Sequence, residues 1–244
     1  MTVGSFKLSA LVAVLFDLEG TLTGTGYRFN ISEVRARMRE KLIELGVPPR
    51  ELEGLEDSLT LMVNTAYGYM SRATSPHEFQ AFRGRVGELL EEYWERSARE
   101  SYLMPGAKEA LEALKAAGYR LGLVSNASRL DVTIMFEKHR LASYFNTVVS
   151  SDEMRLLKPD PDGVLKALRE LRETDFIFVG DSVYDLEAAR RAGGRAVIVQ
   201  QSPDERRGWQ PTVQLVNGAG AYLVNSLFEV PGVVKQLFPP KEDA

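Results

Sequence analysis

Six short apolar runs, each continuous rather than alternating, are spaced along the chain: LVAVLFD (Leu11 to Asp17), YRLGLVSN (Tyr119 to Asn126), NTVVS (Asn146 to Ser150), DFIFVGD (Asp175 to Asp181), RAVIV (Arg195 to Val199) and AYLVN (Ala221 to Asn225). A strand with one wet face alternates apolar and polar residues, so runs of this kind predict a parallel sheet buried on both faces. Helical patterns with clear boundaries separate them. One follows Pro105 and ends in LKAAGYR with Gly118 as its C′ residue; another opens at Asp160-Pro161, read as an N-cap followed by Pro at the first helical position; a third runs through DLEAARRAG to Gly193. Alternation of this kind predicts a Rossmann-like, three-layer, doubly wound α/β domain.

The stretch from Tyr27 to about Met104 departs from that pattern, with helical periodicity and no convincing strand. Ser75-Pro76-His77-Glu78 reads as a capping box with Pro at N1, which makes His77 a first-turn residue, and GELLEEYWERSARE continues as an amphipathic helix. The expected division is a core of residues 1–23 and 105–244 with an all-helical cap of residues 24–104, hinged at Thr23-Gly24-Thr25-Gly26 and Met104-Pro105-Gly106. Tyr67, Tyr69, Tyr93, Trp94 and the neighbouring methionines read as the packing of that bundle.

Composition removes several classes of function. A net charge of -4 gives no general attraction to nucleic acid. The absence of Cys excludes disulfides, thiolate metal sites and a Cys nucleophile, and two distant histidines, His77 and His139, make a His-rich metal site unattractive. No run approaches the ~20 apolar residues of a membrane span. The expectation is a cytoplasmic protein, monomeric or homodimeric, with no nucleic-acid or membrane partner.

Ligands of open α/β sheets bind beyond the carboxyl ends of the strands. Asp17 and Glu19 follow the first run, Ser125 and Asn126 end the second, Asp181 ends DFIFVGD with Asp185 one turn on, and Lys158 stands in LLKPDP before a helix. Any one such Asp alone reads as a turn or helix cap; four coincident positions read as a site. Carboxylates gathered there repel one another unless a cation neutralises them. Lys158 supplies one charge, and Mg²⁺, a hard ion that binds through few carboxylates plus substrate phosphate, supplies the rest. Beside the backbone amides of Ser125 and Asn126 this makes a receptor for phosphate oxygens.

DLEGT, VSNAS, the lysine of KPDP and GDSVYD resemble, in order and context, the four motifs of the haloacid dehalogenase-like (HAD) hydrolases, over nearly the whole chain from Leu11 to Asn225. The resemblance implies a Mg²⁺-dependent phosphatase acting on a small phosphorylated metabolite. It implies Asp17 as nucleophile, giving an aspartyl-phosphate, and Glu19 as the acid that protonates the leaving oxygen and then the base that activates water. Ser125 and Asn126 bind the phosphoryl group with Lys158, which also offsets the charge on Asp17. The metal ligands implied are Asp17, the carbonyl of Glu19, Asp181 and Asp185, the last directly or through water. Gly20 and Thr21 shape the turn between them.

Glu19 separates the rivals. Dehalogenases of this fold resemble Asp-x-Tyr at the first motif and need no metal; phosphonate hydrolases usually carry a small residue where Glu19 stands. A phosphomutase shares the same core. A binding or regulatory protein with a residual site is the non-enzymatic alternative, since one extra methylene moves the acid by ~1.5 Å. Enolase-phosphatases, however, resemble this chain in having Asp-x-Glu-Gly-Thr. Asp160 and Asp162 read as helix caps, Ser128 as a cap or a substrate neighbour, His139 as an ordinary helical residue, and Arg28 and Arg72 as the candidates to reach an anionic substrate tail.

Overall fold

The computed structural model describes residues 12–27, 30–200 and 213–239; Leu11 and Arg28 lie outside them. All six apolar runs are strands of one parallel sheet: β1 (Ala13–Phe16), β4 (Arg120–Val124), β5 (Thr147–Val149), β6 (Phe176–Gly180), β7 (Arg195–Val199) and β8 (Tyr222–Val224), in the order β5-β4-β1-β6-β7-β8. The chain builds outward from β1 in one direction, through β4 and β5, then returns to its other side for β6. That reversal leaves a crevice at the carboxyl ends of β4, β1 and β6.

The continuous apolar pattern has the expected cause. Along β1, Val14 and Phe16 face one layer while Ala13 and Leu15 face the other, and all four are fully buried. The first layer holds α4 (Ala107–Ala116), α5 (Arg129–His139) and α9 (Val230–Leu237); the second holds α6 (Asp162–Leu171), α7 (Val183–Arg191) and α8 (Val213–Gly218). Each large apolar side chain buried this way contributes roughly 1.5–3 kcal/mol. Helix α4 ends before Gly118 at φ +84° and α7 before Gly193 at φ +85°, the left-handed C′ positions predicted. Helix α6 begins one residue later than expected: Pro161 is its N-cap, and Asp160 accepts the N–H of Asp162 at 3.0 Å.

Between β1 and β4 lie α1 (Ile31–Glu44), α2 (Leu59–Ala73) and α3 (Pro76–Arg99). Ser75 and Glu78 form the predicted capping box at the start of α3. Met38, Leu42, Met62, Val63, Tyr67, Phe79 and Val86 make a separate apolar cluster, to which Leu157 is added from the segment before α6. The sequence reading missed β3 (Ser101–Leu103), which pairs antiparallel with β2 (Thr23–Thr25), Thr23 opposite Leu103 and Thr25 opposite Ser101. A three-residue strand straight after a 24-residue helix carries no periodicity of its own, and only the partner defines it. At Gly24 the exposed Tyr102 ring lies 2.5 Å from where a Cβ would sit, so the ring packs directly over the glycine and would have to swing aside for a larger residue. Entry to and exit from the helical segment are thereby tied together. Among the described residues no helix is long and apolar enough to cross a membrane.

Candidate active site

Asp17 stays in the sheet ladder through its N–H, which donates to Val179 O at 2.9 Å, while its side chain emerges at the crevice. The chain then turns sharply. The N–H groups of Leu22 and Thr23 both return to Leu18 O at 2.9 Å, and Gly20 adopts φ +92°. A Cβ at Gly20 would lie 2.6 Å from Asp181 Oδ2. This glycine therefore meets two demands, a left-handed backbone and close approach to a carboxylate. Gly20→Ala is expected to cost about 1–3 kcal/mol of stability through that strain and to displace Asp181; a thermal melt indistinguishable from the parent's would sink the assignment. Thr21 Oγ1 bridges the two acids, 3.5 Å from Asp17 Oδ2 and 3.4 Å from Asp181 Oδ1.

Asp17, Asp181 and Asp185, all buried, each bring a carboxylate oxygen within 4.8 Å of the others. Lys158 Nζ donates to Asp17 Oδ1 and to Asp185 Oδ1, both at 2.6 Å, with Lys158 itself only 2% exposed. Asp185 also does the capping work that sequence left open: its Oδ2 accepts from Ser182 Oγ at 2.6 Å and from the N–H groups of Ser182 and Asp181 at 3.1 and 3.2 Å. One oxygen of Asp185 thus builds the first turn of α7 and the other holds the lysine. At Gly180 a Cβ would meet Asp185 Cβ and Cγ at 2.4 Å, so the glycine that ends β6 lets this carboxylate fold back.

The charges do not balance. Burial pushes the Asp17 carboxyl up to about 6; Lys158 pulls it down and Asp185 pushes it up further. For Lys158 burial works against the ammonium, but the two carboxylates outweigh it and hold the group above its ordinary value. Three buried carboxylates against one ammonium leave negative charge that a proton or a further cation must offset. The donor set is entirely hard carboxylate oxygen, gathered in one buried group that lacks positive charge, so these residues fit Mg²⁺.

Ser125 is buried, and its Oγ accepts the N–H of Ala127 at 3.1 Å. Asn126 turns its side chain to the backbone of Lys158, accepting from Lys158 N at 2.8 Å and donating to Lys158 O at 3.1 Å. Glu19 is half-buried, outside the carboxylate triad, with its backbone bridged to Thr23. With Thr25, Ser97, Ser101 and Met135 it lines a cavity of about 10 Å³ at the base of the helical segment, the size of one water. Ser128 caps α5 in a box with Asp131. His139 meets Ser101 Oγ at 2.9 Å. Arg72 is exposed in the last turn of α2.

The helical segment reaches this site through residues the sequence reading passed over. Asn64 of α2 grips the backbone of Leu157, Arg83 of α3 takes carbonyls of residues 151–155, and Ser58 Oγ lies 2.7 Å from Tyr184 OH. The available signal is the polar Asn in the apolar stretch TLMVNTAY, since Asn is a poor residue for a helix interior.

Residues 14–199 match the sequence profile described as haloacid dehalogenase-like hydrolase. A phosphoglycolate phosphatase of Nitrosospira multiformis is 30% identical over 203 residues, covering 80% of this chain and 86% of the relative. A phosphoglycolate phosphatase of Salmonella typhi is 30% identical over 210 residues, covering 77% and 80% respectively. Among solved structures, a predicted phosphatase from Clostridium acetobutylicum superposes with a TM-score of 0.58 at 20% identity, over 93% of this chain and 100% of its own. The chain belongs to the haloacid dehalogenase-like hydrolases.

Proposed function

We propose that this hydrolase is a Mg²⁺-dependent phosphatase of small phosphorylated metabolites, with residues 24–104 acting as a cap over the site. The observation that carries the reading is Lys158 held at 2.6 Å from both Asp17 and Asp185 within a buried group of three carboxylates. The similarity to phosphoglycolate phosphatases supports phosphoric monoesters as substrates and makes phosphoglycolate the first to try.

Asp17, Asp181 and Asp185, with the carbonyl of Glu19, would hold Mg²⁺, which supplies positive charge facing the phosphoryl oxygens. Asp17 attacks phosphorus and the ester oxygen departs with a proton from Glu19, leaving an aspartyl-phosphate. Glu19 then takes a proton from water as that water attacks phosphorus, and Asp17 is released. Lys158 keeps Asp17 ionised and faces the charge that develops on the phosphoryl group, in a site where burial strengthens each interaction. Ser125 offers its hydroxyl to a phosphoryl oxygen. Asn126 fixes the backbone of Lys158. A dehalogenase would have no use for a second acid at position 19 or for three gathered carboxylates.

The test is a magnesium titration of phosphate release from an aryl phosphate and from phosphoglycolate, repeated across pH. Turnover should require Mg²⁺ and vanish in chelator. Because Asp17 without metal keeps its proton up to about pH 6, protons and metal compete below that pH. The apparent Mg²⁺ affinity should weaken by about tenfold per pH unit there and level off above it. Turnover that survives chelator, or no turnover on either ester, would overturn the reading; an Mg²⁺ requirement identical at pH 5 and 7.5 would remove Asp17 from the ligand set.

A further inference from the structure

Two asparagines hold the backbone of consecutive residues, Leu157 and Lys158. Asn64 Oδ1 accepts the N–H of Leu157 at 2.7 Å and Asn64 Nδ2 donates to Leu157 O at 2.7 Å. Asn126 makes the same two-point contact with Lys158, at 2.8 and 3.1 Å. Asn126 lies two residues beyond the end of β4, which pairs with β1, the strand that leads to Asp17. Asn64 is in α2 of the helical segment, and the residue it grips is one bond from the lysine of the site.

The 151–158 segment is tied to the sheet domain, by Ser151 N–H to Ala127 O at 2.9 Å and Arg155 N–H to Asp162 Oδ2 at 2.7 Å, and also to α3 of the helical segment. Arg83 donates to Ser151 O at 2.7 Å, to Arg155 O at 3.0 Å and to Met154 O, and its guanidinium lies 4.7 Å from the Tyr67 ring centre. The Leu157 side chain is buried among helical-segment residues rather than in either layer of the sheet domain. A lysine side chain is a flexible four-carbon stem, so the position of its backbone decides where the ammonium can reach. Here the ammonium spans two carboxylates at 2.6 Å each, and a backbone shift near 1 Å at such a site can cost ~10²-fold in rate.

We infer that Asn64 is a positioning residue for Lys158: the ammonium is held between Asp17 and Asp185 only while α2 is seated on Leu157, so seating of the helical segment completes the site. Lifting that segment breaks both Asn64 bonds and leaves the backbone at Leu157 and Lys158 held by Asn126 and by the N–H of Asp160, which donates to Leu157 O at 2.9 Å. The kinetic arm of the test rests on the phosphatase reading; the exchange arm does not.

Asn64→Ala and the same-sized Asn64→Asp are compared with the parent, alone and with Lys158→Met. Asn64→Ala should lower kcat by about 10- to 100-fold with KM within about threefold, because the loss falls on transition-state charge rather than substrate contact. In the Lys158→Met background the same change should cost no more than about threefold, since residues that act through one another are not additive. Backbone hydrogen exchange of residues 156–160 should quicken at least tenfold in Asn64→Ala, with the sheet strands unchanged. Parental kcat in both Asn64 variants, a full additional loss without Lys158, or unchanged exchange at 156–160 would each overturn the inference. If the parent itself shows no phosphatase turnover, the functional reading falls and the exchange measurement still decides the coupling.

Discussion

Asp17→Asn removes phosphate release, lowering kcat by roughly 10⁴- to 10⁶-fold, the scale seen when a nucleophile is deleted from an otherwise intact site. The amide has the same shape, so the turn at Gly20, the Thr21 bridge and the Asp185 cap can all persist. What is lost is the oxygen that, in the proposed mechanism, bonds to phosphorus. Activity within tenfold of the parent would remove Asp17 from the nucleophile's role, whatever else the site does.

The same variant should be more stable than the parent without metal, and the sign follows from the carboxyl's surroundings. Asp17 is raised to about 6 when folded, against an ordinary value of 3.8, chiefly by burial. A raised acid binds its proton more tightly in the folded state, so its contribution is favourable below about pH 4 and is lost as pH rises through about 6. At neutral pH the ionised carboxylate therefore weakens the metal-free protein, by an amount on the order of 1–3 kcal/mol. Asp17→Asn should raise the melting temperature at pH 7.5, leave it unchanged near pH 3.5, and lose the advantage when saturating Mg²⁺ stabilises the parent. A variant less stable than the parent at pH 7.5 without metal would show that the Lys158 pairing outweighs burial.

Much of this arrangement was legible before any coordinates. Parallel strands buried on both faces leave continuous apolar runs, and all six runs became strands of one sheet. The order of chain reversal then brings the ends of β1, β4 and β6 together, so Asp17, Ser125 and Asp181 could be grouped from their places at strand ends alone. Residues whose partners lie far away in sequence and are backbone atoms were not legible. Asn64 is marked in the sequence only by its place in an apolar stretch and Asn126 reads as a phosphate ligand; the grip of each on a backbone shows only once Leu157 and Lys158 are placed beside them. The double use of Asp185 was hidden for a different reason. Capping and charge pairing need opposite edges of one carboxylate, and sequence offers them as competing readings when the structure uses both. The β2–β3 pair was invisible because three residues are too few to show a period.

Lys158→Met is the change that bears on every part of the site, since one ammonium serves two carboxylates. Methionine keeps much of the stem's volume and can rest near the Phe178 ring, whose centre lies 5.2 Å from Nζ, so packing loss is small and the effect is electrostatic. Asp17 and Asp185 are then buried with no cation between them, and breaking one side of a buried pair costs about 3–5 kcal/mol. Asp17 loses the cation that lowers it and moves further up, so the metal-free variant should be least stable at high pH and recover as pH falls and Asp17 takes up its proton. The rate should drop by about 10²- to 10³-fold, as for loss of one charge-stabilising donor, with the pH profile displaced upward because Asp17 ionises later. Lys158→Arg should not rescue it: a planar guanidinium cannot place a single point charge 2.6 Å from two oxygens that sit on either side of an ammonium. Measuring kcat, its pH dependence and melting with and without Mg²⁺ separates these effects. A variant with kcat within tenfold of the parent and an unmoved pH profile would mean that Lys158 holds the fold together without taking part in the chemistry.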